Sequence, residues 1–343
     1  MRNSVLGTLA AAVFWTSLAL LVLPAKQPAP TSSVAPVFAE KTEIVTTTEP
    51  SSTVSAAASP DPAPVPFDTA FSLSVLTEGG VRQMNLETYL TGVLLAEMPV
   101  SFSEEALKAQ AVACRTYTLT RCGHPRHDDA AVCTHSGCCQ GWKDPETVEP
   151  AARDRAAEAV RATDALVLLY EGKLIDATFF ACSGGRTEDA AAVWGSKLPY
   201  LKAVDSPGEE EASHYSDEVR LPLAEFRSAL EALDGRVRFG PNPGTWVESV
   251  GYTAGGGIDH MVIGGCPFRG TALRKSFGLR STAFTLTLNE EEASFVTRGN
   301  GHRVGMSQYG ANAMAQDGND FEAILKWYYQ GVEVARAEGK VEN

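Results

Sequence analysis

Residues 85–120, NLETYLTGVLLAEMPVSFSEEALKAQAVACRTYTLT, limit the possible folds more than any other stretch of this chain. Leu86, Tyr89, Leu90, Val93 and Leu94 recur at helical spacing behind Asn85, a residue suited to cap a helix N-terminus. Met98-Pro99 ends that helix, because a proline disfavours helical dihedrals in the residue before it. Ser103 is placed to cap a second helix, with Glu104 and Glu105 in its positive first turn. Ala106, Leu107, Gln110, Ala111, Ala113 and Cys114 give that helix a small, smooth face for close packing. One carboxylate, Glu97, stands at the bend. The C-terminal end of a helix is negative, so a partly desolvated carboxylate there has a raised pKa, as a general acid requires. The plain alternative is a solvated glutamate.

Ahead of this stretch, residues 5–23 are apolar and uncharged. At helical rise they span roughly 28 Å, about one hydrocarbon core. Arg2 before them and Lys26 after them favour the N-terminus inside and the bulk of the chain outside. Residues 1–25 are therefore expected to be a retained single-pass anchor. The rival is a cleaved signal peptide, whose apolar core usually runs to about 7–15 residues. Residues 26–66, rich in Pro, Ser, Thr, Ala and Val, read as a disordered tether. A net charge of −13 argues against a nucleic-acid partner.

Residues 67–343 mix the two periodicities. Helices are expected at 151–163, 221–233, 270–277 and 320–329. Strands are expected at 70–76, 81–84, 246–253, 260–263, 284–288, 294–297 and 332–334, with a hairpin over 165–181. A glycine-rich turn, 299–310, runs into a helix ending at Ala315. The class is α+β, a single mixed domain.

The loop 122–142 holds His127, Cys133 and Cys139 with five residues between successive members. Such residues are the usual zinc ligands, and the fourth position is open to water, a substrate group, Cys138, His135 or Cys122. Disulfides are equally compatible with a segment outside the membrane, although seven cysteines cannot all pair within one chain. Spacing alone leaves both readings open.

Four segments together resemble the SpoIID family, whose members share the SpoIID/LytB domain: residues 89–118 with AEMP and RTY, 181–206 with SGG and PYLK, 277–284 with GLRSTAF, and 299–334 with GHRVGMSQYGA. The resemblance covers nearly all of the chain after Phe67. It implies a lytic transglycosylase that cuts the MurNAc–GlcNAc bond of peptide-stripped peptidoglycan without water, leaving a 1,6-anhydro sugar. It also implies work during engulfment, between mother-cell and forespore membranes, with a partner amidase and a membrane scaffold protein. Glu97 matches the catalytic glutamate, with the substrate cleft expected between the helical and β-rich parts.

By the same resemblance, Arg115 is expected to anchor a lactyl carboxylate or brace Glu97. Ser183, Gly184 and Gly185 are expected to let a sugar approach bare backbone. Tyr200 and Lys202 are expected to stack on a sugar and meet a carboxylate. His302 and Gln308 are expected to line the cleft. Trp194 reads as core. Arg303 stands where the family commonly has glycine, which argues against positive φ there. Family members with one His and two Cys in this loop suggest zinc at His127, Cys133 and Cys139, structural rather than catalytic. Related LytB-type proteins modulate an amidase, so a non-catalytic peptidoglycan binder is the rival reading.

Overall fold

The computed structural model describes residues 64–337. The expected anchor, 1–25, and nearly all of the expected tether lie outside the described residues. Among those described, no helix is long and apolar enough to cross a membrane.

The first helix of the opening pair, Leu86–Glu97, begins where Asn85 Oδ1 accepts the Thr88 N–H at 2.8 Å. It stops at Met98, which is extended before Pro99. The second, Glu104–Gly123, is the centre of the helical half. It packs on the first helix, on Pro150–Ala162, on the strand Leu166–Tyr170, and on Gln308–Gln316 and Phe321–Tyr328. The smooth face expected of it is in fact burial all round, from Ala106 to Leu119 with only Lys108 reaching outward. Alanines let neighbours approach from every side. Thr116, Thr118 and Thr120 satisfy their hydroxyls on carbonyls four residues back, at 2.7, 2.8 and 2.8 Å. Ser103 holds the cap position without a side-chain cap bond; its N–H donates to Asn312 Oδ1 instead.

Small sheets flank these helices. Ser72–Thr77 pairs antiparallel with Gly80–Asn85 and parallel with Val132–Cys133. Leu166–Tyr170 lies between Glu333–Arg336 and Lys173–Leu174. A second core gathers two three-stranded sheets, Val247–Tyr252 with Ile258–Ile263 and Cys266–Arg269, and Phe284–Leu288 with Glu292–Arg298 and Ser216–Pro222. Leu223–Leu233 packs on the latter; Phe226, Phe284 and Phe295 are buried at the centre, and the partly buried Phe277 ring packs on Phe226 and Phe295. The segregation of helices and sheets is that of an α+β chain.

Two expectations shift in ways that matter. The helix expected from 221 starts at Leu223, because the preceding residues complete an edge strand and Pro222 cannot sit inside a helix. The hairpin over 165–181 breaks after Leu174. There the N–H groups of Ala177 and Thr178 close tight turns on Ile175 and Asp176, sending Phe179–Phe180 to pair in parallel with Met306–Ser307. That break delivers Asp176 and residues 178–181 to a cavity.

Candidate active site

The cavity, of about 670 Å³, is walled by the bend at Glu97, by Tyr117 and Arg121 of the long helix, by the 136–140 loop, by the broken hairpin, and by Trp194 and residues 300–302. No residue of the second, β-rich core lines it, so the cleft lies within the helical half and its loops rather than between the two parts.

Glu97 is partly buried, and that burial holds its carboxyl above the usual glutamate range. The Gly141 N–H donates to Oε1 at 2.5 Å and pulls the other way. A Cβ at Gly141 would stand 2.9 Å from Oε1 and would shift the Glu97 carboxyl.

Gly141 stands two residues beyond Cys139, the last member of a cluster of His127, Cys133, Cys138 and Cys139 whose ligand atoms lie within 4.8 Å of one another. His127 Nε2 is 3.6 Å from Cys138 Sγ and 3.5 Å from Cys139 Sγ. A tetrahedral zinc with its usual bond lengths needs an N–S edge of about 3.5–3.6 Å, so the donors present fit such an ion. All seven cysteines are unpaired. Of the residues considered for a fourth position, Cys138 is the one the fold brings into the cluster.

Arg115 takes neither of its expected roles. It is fully buried, with Nε and Nη2 on Asp68 at 2.9 and 2.5 Å, Nη2 on the Val160 carbonyl and Nη1 on that of Leu166. The surface partner of Glu104 and Glu105 is Lys108. The Ser183-Gly184-Gly185 turn is also turned inward. Glu209 Oε2 accepts from Ser183 N–H, Ser183 Oγ and Gly184 N–H at 2.8, 2.8 and 2.9 Å, while Gly185 N–H bonds Ser183 Oγ. At Gly184, φ is +75° and a Cβ would meet the Gly299 nitrogen at 2.8 Å; the close approach is to the chain's own backbone.

Tyr200 is buried on Tyr170, and its hydroxyl accepts the Asp176 N–H at 3.2 Å, so it positions a cavity residue without lining the cavity. Lys202 points to Asp189, 3.9 Å away and outside the cavity. Gln308 is buried and does not line it. His302 does. Burial and the charge of Arg274 push its imidazole down to about 4, so it is neutral at physiological pH.

Trp194, expected in the core, leaves 44% of its surface exposed in the cavity wall. It ends a short helix, Ala190–Trp194, cut off by left-handed Gly195. Arg303 does adopt positive φ, +64°. Its buried guanidinium holds it there, donating to the carbonyls of Ser183, Arg186 and Gly255 and to Glu188. Charge-assisted bonds of about 1.5–3 kcal/mol outweigh a left-handed penalty of about 1–2 kcal/mol.

The residues that sequence reasoning missed are Arg121, Gln140 and Asp176 in the cavity, Gly141 behind the Glu97 carboxyl, and Asp68 and Glu209 as internal partners. Arg121 was legible in part: it stands in the last turn of the second helix, beyond the residues that are buried all round.

An acid-centred cleft in an α+β fold, with a His/Cys cluster beside the acid, defines the class. The chain belongs to the SpoIID family: the family model described as Stage II sporulation protein matches residues 77–170. Stage II sporulation protein D of Bacillus subtilis (strain 168) is 35% identical over 269 residues, covering 75% of this chain and 76% of that protein. The protein of the same name from Bacillus amyloliquefaciens is 36% identical with the same coverage. An amidase enhancer of Bacillus subtilis (strain 168) is 29% identical over 71% of this chain, which spans 39% of that protein.

Proposed function

We propose that this protein is a lytic transglycosylase that cleaves peptide-stripped peptidoglycan strands with 1,6-anhydroMurNAc formation, in cell-wall remodelling during sporulation. The observation that carries the reading is a single uncommitted carboxyl group in the cavity, Glu97, raised above the usual glutamate range by burial and oriented by the Gly141 N–H. Asp176 also lines the cavity, but its carboxylate is committed to Arg121 at 2.8 Å. One acid that turns base suffices for anhydro formation, whereas an ordinary hydrolase employs two. Glu97 gives its proton to the leaving glycosidic oxygen as the bond to the anomeric carbon breaks. The carboxylate then takes the proton of the 6-hydroxyl as that oxygen closes on the anomeric carbon. The acid is regenerated and no water enters.

Zinc at His127, Cys133, Cys138 and Cys139 would have four protein ligands and no open position, a bracing role for the loop that carries Gly141. Metal analysis is expected to find one zinc per chain. Chelation is expected to lower the melting temperature and open Cys133, Cys138 and Cys139 to alkylation; a metal-free protein with fewer than seven titratable thiols would establish disulfides instead.

Gly141→Ala is expected to cut turnover about tenfold or more with little change in melting temperature, because its methyl group displaces the Glu97 carboxyl. Unchanged kinetics would remove Gly141 from the mechanism.

The proposal includes anchoring by residues 1–25 with the domain outside the cytoplasm, and partnership with an amidase and a membrane scaffold protein. The amidase-enhancer relative favours a second reading, a non-catalytic peptidoglycan binder that modulates an amidase. Incubation with peptide-free strands and mass analysis separates the cases. Anhydro ends are expected; products heavier by one water mean a hydrolase, and intact strands mean a binder.

A further inference from the structure

Two features of the cavity take no part in the proton transfers of Glu97. Arg121 lies over the face of Tyr117, its guanidinium carbon 4.8 Å from the ring centroid. Asp176 holds its Nη2 at 2.8 Å, and its buried Nε–H has no acceptor among the described residues. A buried donor without an acceptor is costly, and an incoming oxygen relieves that cost. The cavity's other arginine, Arg126, is tied to the metal-fitting loop through the Cys138 carbonyl at 2.7 Å. The second feature is Trp194. Its half-exposed ring rests on His302 at 5.1 Å, and His302 meets Phe180 edge-on at 5.6 Å. A tryptophan backed in this way presents a rigid apolar face, the kind of surface that the C–H side of a pyranose covers.

We propose that Arg121 and Trp194 form the subsite that selects the sugar beside Glu97: Trp194 stacks on the pyranose ring and Arg121 binds a free carboxylate on it. This rests on the glycan reading above. In a peptide-stripped strand the lactyl group of MurNAc ends in a carboxylate; in a peptide-bearing strand the same carbon is a neutral amide. An arginine held rigid by an aromatic face and an aspartate discriminates between the two by charge and by its planar fork. Arg115 is excluded from this role by its commitment to Asp68.

The Glu97→Gln protein allows binding to be read without turnover. Calorimetry with three probes tests the subsite: peptide-free strands, the same strands with the lactyl carboxyl reduced to an alcohol, and neutral chitooligosaccharides. The free-carboxylate strands are expected to bind about tenfold tighter than the reduced ones. Adding Arg121→Gln is expected to erase that difference by weakening the first probe alone. Trp194→Ala is expected to weaken all three about tenfold. Should Arg121→Gln fail to fold, Arg121→Lys carries the test, with the preference reduced several-fold because an ammonium has no planar fork. A folded Arg121 variant with its preference intact, or a Trp194→Ala protein that binds all probes unchanged, overturns the assignment. Equal binding of all three probes by the Glu97→Gln protein overturns this inference and leaves glycan binding standing. Absence of binding to every probe overturns the glycan reading itself.

Discussion

Glutamine in place of Glu97 is expected to abolish strand cleavage while leaving strand binding intact. The amide keeps the shape of the side chain and can still accept the Gly141 N–H, but it has no proton to give. General acid–base catalysis is worth about 10²–10⁴-fold, and Glu97 acts in both directions, so a loss of at least about 10³-fold in rate is expected. Release of anhydro-ended products measures it, alongside equilibrium binding. Burial raises the folded-state pKa of Glu97, so cleavage should persist into a range where an ordinary glutamate is ionised, and fall as pH rises through that folded value. The same shift has a stability consequence. A raised folded pKa contributes stability that is fully present below the unfolded glutamate pKa and is lost as pH rises through the folded one. Glutamine does not titrate. The Glu97→Gln protein should therefore be more stable than the parent at neutral pH, with the gap closing as pH is lowered. Full cleavage by this variant would sink the mechanism.

Arg115→Ala is expected to destabilise the fold by about 3–5 kcal/mol, the cost of leaving a buried charge without its partner. Such a loss is a large part of the roughly 5–15 kcal/mol that holds a typical domain together. Asp68 is already held above the usual aspartate range by burial, with Arg115 pulling it down. Without Arg115 that pull disappears, and the carboxyl goes higher still. The sign follows: the deficit of the variant should shrink on acidification, when Asp68 takes a proton, and grow toward neutrality. Denaturant unfolding at two pH values measures both effects. Replacing the pair together, Asp68→Leu with Arg115→Met, should recover part of the loss, since no lone charge remains, though the Val160 and Leu166 carbonyls lose their donor. An Arg115→Ala protein of unchanged stability that fails to bind glycan would restore Arg115 to the cleft.

Local chemistry made the opening helices legible. Asn85 caps, Pro99 stops, and five apolar side chains at helical spacing face inward, all within one stretch of chain. Glu97 at the bend and the His/Cys loop were legible for the same reason, although only the folded loop shows that Cys138 joins the cluster. The hairpin break at Asp176 was not legible, because its second arm reads as a strand and is diverted by a partner strand more than 120 residues further on. Trp194 was misread because a tryptophan beside alanines and a valine looks apolar in sequence, while its exposure depends on where Gly195 stops the helix.

Charged residues mark the boundary most clearly. Arg115 and Arg121 stand on one helix and look alike in sequence. One is consumed by Asp68, 47 residues away, and the other faces the cavity with Asp176, 55 residues away. Ser183, Gly184 and Gly185 suit an anion, and the fold supplies one of its own, Glu209. The helix pair, the acid at its bend, the metal-fitting residue types and the family resemblance are all readable along the chain, because caps, proline and periodicity act over a few residues. Which polar groups are left over for a ligand follows from long-range contacts. A buried charge or N–H must find a partner wherever the chain brings one, and that partner is usually far away in sequence.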